Sequence, residues 1–136
     1  MRVEPTFLVL EQIGPALDEK TTVSTLKGEV SRFRDDRDWL GFHNPKDLSI
    51  ALSIESSELE ELFLWKDAEH VKKMPKDKEQ LQRIKEEMAD IGIYLLSLAN
   101  VLGVDLSDAV AEKLAKNSKK YPIDKSKGSN KKYDEL

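Results

Sequence analysis

Two stretches of this chain carry apolar residues at helical spacing, and each has a pair of acids set inside its apolar pattern. In the first, Leu48, Leu52, Glu55, Leu59 and Leu62 follow one another in steps of four and three, the spacing of a buried bundle stripe. Glu55 takes a seam position, and Glu58 falls on the adjoining line Ala51, Glu55, Glu58, Leu62, facing inward or bordering the core. In the second stretch the seam is Ile84, Met88, Ile91, Leu95, Leu98 and Leu102. Glu87 and Tyr94 flank that seam on one side, with Asp90 slightly further round. Residues three apart share a helix face, so each pair, Glu55 with Glu58 and Glu87 with Asp90, presents two carboxylates to one neighbour. Two such helices packed antiparallel bring four carboxylates together.

Carboxylates sharing a partly buried space repel one another, and an unpaired buried charge is costly. The pattern therefore asks for a positive partner. Hard divalent cations such as Mg²⁺ take oxygen ligands, whereas zinc favours Cys and His. The chain has no cysteine, and neither His43 nor His70 lies within an acidic pair. A single Glu-x-x-Glu is most often a solvated or Lys-paired helix face. Two pairs on successive apolar faces favour a metal.

The length of 136 residues predicts one domain with a real core. Charged residues reach 35% but the net charge is only −4, so no basic excess points to a nucleic acid polymer. Absence of cysteine fits a reducing cytoplasm, and cytoplasmic is the expected location. The run Thr6 to Leu10 is too short for a signal segment and Ile91 to Leu102 too short for a membrane span, so a soluble protein is expected. The closing Tyr-Asp-Glu-Leu is not read as a retention signal in a chain without a signal peptide.

Along the chain, residues 1–20 contain Pro5, Gly14 and Pro15 without a sustained period and read as an N-terminal extension. A first helix is expected from Thr22 as N-cap, with Val23, Leu26, Val30 and Phe33 inward. Asn44 and Pro45 start a second helix running to about Trp65, bracketed by Trp39 and Trp65. Taken in isolation either tryptophan reads more readily as core, and His43 as a loop hydrogen-bonder. Residues 66–76, with Met74-Pro75, read as a connection rather than a helix. Asp77 and Gln80 begin a third helix, apolar nearly all round beyond Met88 and therefore central or in an oligomer interface. Gly103 ends it and Asp105 caps a fourth, which stops at Tyr121-Pro122. The lysines on that helix, Lys113, Lys116, Lys119 and Lys120, are explained in part by the helix dipole. The reading is an all-α, four-helix bundle-like domain over residues 21–122, followed by a flexible tail, 123–136.

With Glu55-x-x-Glu58, twenty-eight intervening residues and Glu87-x-x-Asp90, the chain resembles the MazG-like nucleoside triphosphate pyrophosphohydrolases. Arg37-Asp38-Trp39, Phe42-His43, Pro45, Leu48, the Glu-Leu-Phe-x-Trp ending at Trp65, Asp90-Ile-x-Ile-Tyr94, Val104-Asp105-Leu106, Lys113, Asn117 and Tyr121-Pro122 are similar to the dCTP pyrophosphatase branch. The resemblance implies an all-α, MazG-type homo-oligomer, dimer or tetramer. It implies cleavage of a nucleoside triphosphate, dCTP or a related pyrimidine nucleotide, between the α and β phosphates. By position it implies Mg²⁺, with Mn²⁺ as a substitute, on Glu55, Glu58, Glu87 and Asp90. It implies the base on Trp39 and Trp65, Tyr94 in the substrate pocket, and Lys113, Asn117 and Lys120 near the phosphates or nucleotide. Two departures stand out. Ser56-Ser57 replaces a small or Gly-containing pair inside the first acidic motif, and Lys120 stands where relatives often have Arg, whose bidentate fork a lysine cannot reproduce.

The mechanism this implies is attack of an activated water on the α-phosphorus, with Glu58 as the acceptor of its proton. The alternative is a non-catalytic helical module that binds a divalent cation or a nucleotide. A ferritin-like di-metal oxidase requires Glu-x-x-His pairs on facing helices, which this chain lacks.

Overall fold

The computed structural model describes residues 17–136; most of the extension expected at 1–20 lies outside the described residues. The rest is helical, with no strand among the described residues, as the 3.6-residue period predicts. Each long helix starts at a side chain that accepts an otherwise orphaned backbone N–H. For α1 (Val23–Asp35) it is Thr22, accepting from Thr25 N at 3.1 Å. For α2 (Pro45–Glu61) it is Asn44, accepting from Asp47 N at 2.9 Å.

The connection expected at 66–76 is largely helical. Asp67 accepts from His70 N at 2.8 Å and starts a short helix, α3 (Ala68–Lys73), followed by a 3₁₀ turn, Met74–Lys76. Pro75 did not exclude helix here, because proline is tolerated in a first turn, where its missing N–H has no partner to lose. Met74 is buried and anchors the segment.

Helix α4 (Lys78–Leu102) begins at Asp77, which accepts from Glu79 N and Gln80 N, both at 3.0 Å. It ends at Gly103, whose φ of 64° is the left-handed conformation that glycine adopts without penalty. Asp105 then accepts from Asp108 N to start α5 (Leu106–Lys120), which stops before Pro122. The last residues, expected as a tail, carry a short helix α6 (Ile123–Ser126) and a 3₁₀ turn at Tyr133–Glu135.

The fold forms two compact units, one ending at Gly103 and one starting at Val104. In the first, α4 is the central element, with α2 and α1 both packed on it. Asn100 ties α4 to α1 by donating to Lys27 O at 3.0 Å and Ser31 Oγ at 2.9 Å. The buried described residues are few: Leu48, Leu62, Met74, Ala99 and Ser97. The expected α4 seam fails in part, since Met88, at 58% exposure, Leu95 and Leu102 are exposed while Ser97 and Ala99 are buried. Both are small, and Ser97 Oγ turns back to donate to Ile93 O at 2.8 Å. Phe33, expected inward, is exposed as well. In the second unit, the Tyr121 and Tyr133 rings meet edge-on at 6.1 Å, with Lys120 Nζ 4.9 Å from the Tyr133 ring. No single helix among the described residues is long and apolar enough to cross a membrane.

Candidate active site

Helix α2 supplies Glu55 and Glu58 and helix α4 supplies Glu87, and a carboxylate oxygen of each lies within 4.8 Å of the others. Asp90, three residues beyond Glu87 on α4, adds its charge to the same field. Burial, then the charges of Glu58, Asp90 and Glu87, pushes the Glu55 carboxyl above the ordinary range. Glu87 is raised by burial first, then by Glu58, Asp90 and Glu86, with Arg83 pulling the other way. Among the described residues no ion pair or side-chain hydrogen bond reaches any of the four acids. The two serines between Glu55 and Glu58 turn back to their own helix, Ser56 Oγ donating to Leu52 O at 2.8 Å and Ser57 Oγ to Ser53 O at 3.0 Å. Neither serine hydroxyl is bonded to the acidic set.

The sequence places these acids on or beside core-facing lines; in the structure Glu55 and Glu87 are half-buried, and Glu58 and Asp90 are exposed. Leu48 and Leu62 bury the two ends of this stretch, and the acidic turns between them stay close to solvent. A close, oxygen-only set with no ion pair to it among the described residues fits a hard divalent ion such as Mg²⁺ or Mn²⁺.

The aromatic candidates are held differently. Trp39 follows α1 and precedes the 3₁₀ turn Leu40–Phe42; it is 43% exposed and meets the Phe33 ring at 6.0 Å and 73°. Trp65, in the turn after α2, is 94% exposed with a φ of 61°. A bulky residue in the left-handed region costs about 1–2 kcal/mol, and core packing does not offset it here, so the reading of Trp65 as core fails. Tyr94 sits on α4 one turn beyond Asp90 and is half-buried. Lys113, Asn117 and Lys120 lie on α5 in the second unit. His43, expected to hydrogen-bond in its loop, has a buried Nδ1 without a partner. Burial first, and then Arg34, lowers its pKa. Phe33 and Arg37, which pack beside Trp39, are absent from the expected site; their i, i+4 spacing at the end of α1 was the available sign. A concavity of about 450 Å³ at the α3–α4 junction, lined by His70, Met74, Asp77 and Gln80 among others, contains none of the four acids.

The MazG-like family matches residues 50–136. Rat dCTP pyrophosphatase 1 is 40% identical over 127 residues, 90% of this chain and 73% of the rat protein. Human dCTP pyrophosphatase 1 is 39% identical over 118 residues, 85% of this chain and 68% of its own length. The crystal structure of a pyrophosphatase from Archaeoglobus fulgidus superposes with a TM-score of 0.68 at 34% identity, covering 82% of this chain and 99% of its own. A carboxylate cluster contributed by two packed helices thus sits within a chain whose similarity, in sequence and in fold, runs through most of its length, and the chain belongs to the MazG-like family.

Proposed function

We propose that this protein hydrolyses a (deoxy)nucleoside triphosphate, dCTP or a related pyrimidine nucleotide, to the monophosphate and pyrophosphate, with Mg²⁺ as cofactor and Mn²⁺ as a substitute. It is a nucleoside triphosphate pyrophosphohydrolase, and the names of its mammalian relatives support the cytosine substrate. The observation that carries the metal reading is the approach of Glu55, Glu58 and Glu87 to within 4.8 Å with no ion pair to them among the described residues. Those three residues and Asp90 are the ligands we assign. A divalent cation held by these carboxylates would supply charge neutralisation to the triphosphate and make a water more acidic. Glu58, exposed at the rim of the cluster, accepts the proton as that water's oxygen bonds to the α-phosphorus. The bond from that phosphorus to the bridging oxygen breaks, and pyrophosphate leaves with the electron pair.

Trp39 and Trp65 stack on the base, and Tyr94 lines the substrate pocket. Lys113, Asn117 and Lys120 contact the phosphates or nucleotide. Residues 21–122 form the catalytic domain, and the working state is a cytoplasmic homodimer or homotetramer. Exposed Met88, Leu95 and Leu102 on α4 support assembly, because an apolar face of that kind is costly in water. Release of pyrophosphate from a panel of nucleoside triphosphates, with and without Mg²⁺, tests the activity. Release that ignores Mg²⁺, or no release from any pyrimidine nucleotide, overturns the reading and leaves a binding module. Sedimentation over a wide concentration range tests assembly, and a monomer throughout refutes it.

A further inference from the structure

The Arg37 guanidinium carbon lies 3.6 Å from the centroid of the Phe33 ring and 5.9 Å from that of Trp39. The Phe33 and Trp39 rings meet at 6.0 Å and 73°, an edge-to-face pair. Arg37 Nη1 also donates to Phe33 O at 2.8 Å, so the guanidinium is fixed from two directions. The backbone contributes as well: Asp38 has a φ of 55°, and Trp39 N donates to Arg34 O at 3.1 Å. Left-handed backbone is tolerated best by Gly, Asn and Asp, and here it reverses the chain immediately before the tryptophan. Phe33 and Trp39 are both exposed, so this cluster fixes an indole at the surface and leaves part of it open. An exposed aromatic on a loop samples several rotamers unless neighbours restrict it, and each discarded rotamer costs entropy when a ligand stacks.

We propose that Arg37 is a positioning residue for nucleotide binding, holding Trp39 in its stacking orientation through the Phe33 ring, an inference that rests on the base-binding role given to Trp39 above. Arg37 does not touch the reacting atoms. It pre-orders the aromatic surface, so its loss weakens binding of the base and spares the chemical step.

Two measurements on the full-length protein test this. With Trp65→Phe, Trp39 is the sole tryptophan, and acrylamide quenching and anisotropy of its emission report its restraint without ligand. Arg37→Ala and Phe33→Leu should each raise quenching and lower anisotropy, whereas Phe33→Tyr, which keeps the ring, should match the parent. With Trp65 intact, Arg37→Ala and Phe33→Leu should raise KM for dCTP about three- to tenfold, the scale of one cation–π contact, with kcat within about twofold. Phe33→Tyr should restore KM. Quenching or KM unchanged in Arg37→Ala, when Trp39→Ala does raise KM, overturns the positioning role alone. An unchanged KM in Trp39→Ala overturns the base-stacking reading of Trp39 and this inference with it.

Discussion

Replacing Glu58 by Gln removes one charge from the acidic cluster while keeping side-chain size and helix propensity nearly constant. Its carboxylate lies within 4.8 Å of that of Glu55, so their repulsion in water is at least about 0.9 kcal/mol. Salt at physiological strength cuts this roughly in half over that distance, and Glu87 repels in the same sense. The metal-free variant should therefore be more stable than wild type by about 0.5–1 kcal/mol. At about 2.1 cal/mol/K of unfolding entropy per residue, that raises Tm by about 2–4 °C. Magnesium acts in the opposite order. At a hundred times its dissociation constant, an ion that binds only the folded form stabilises by about 2.7 kcal/mol, which is about 9 °C on the same scale. Wild type should show that full rise and Glu58→Gln clearly less, with hydrolysis abolished. Thermal melts of both proteins, chelator-treated and then titrated with Mg²⁺, read every arm. A Glu58→Gln protein that melts lower without metal and responds to Mg²⁺ like wild type would mean that Glu58 makes a structural ion pair, and the metal reading would be wrong.

Three further outcomes are expected. Leu48, only 2% exposed on the helix that carries Glu55, should cost about 2–5 kcal/mol when cut to Ala; chemical denaturation measures this, and a loss below 1 kcal/mol, on the order of a surface change, counts against its core role. At Trp65, whose φ is 61°, Gly should give a protein more stable than Ala by about 1 kcal/mol, with both variants weak in nucleotide binding by tryptophan fluorescence and kinetics; an Ala variant as stable as Gly refutes the strain. The pH dependence follows from the raised carboxyls of Glu55 and Glu87. In the window above the ordinary glutamate pKa, the metal-free folded state binds more protons than the unfolded chain, so this contribution is present at low pH and lost as pH rises through the folded pKa. Asp47 and Asp77 are lowered by their cap bonds and act in the opposite sense, so the test is a difference: Glu55→Gln/Glu87→Gln should lose stability more steeply on acidification than wild type, and identical slopes would exclude the effect.

The helix starts were legible because capping is local chemistry: Thr22, Asn44, Asp77 and Asp105 each meet a backbone N–H two or three residues ahead. Gly103 could be placed for the same reason, since its left-handed φ depends on the residue and not on distant partners. The pairing of Glu55 and Glu58 with Glu87 was also foreseeable, as fixed spacing on two amphipathic stretches leaves few ways to pack them. Which residues are buried was not. The period marks a stripe on α4, but it does not say how closely a neighbour approaches, and burial falls at Ser97 and Ala99 while Met88 and Leu102 are exposed. Helix α3 was missed because Met74 holds it from inside the fold, through contacts that no local propensity records. The exposure of Trp65 and its left-handed backbone were not legible either, and in the stack of Arg37, Phe33 and Trp39 the i, i+4 spacing pairs Arg37 with Phe33, while only the left-handed turn at Asp38 brings Trp39 to the same ring.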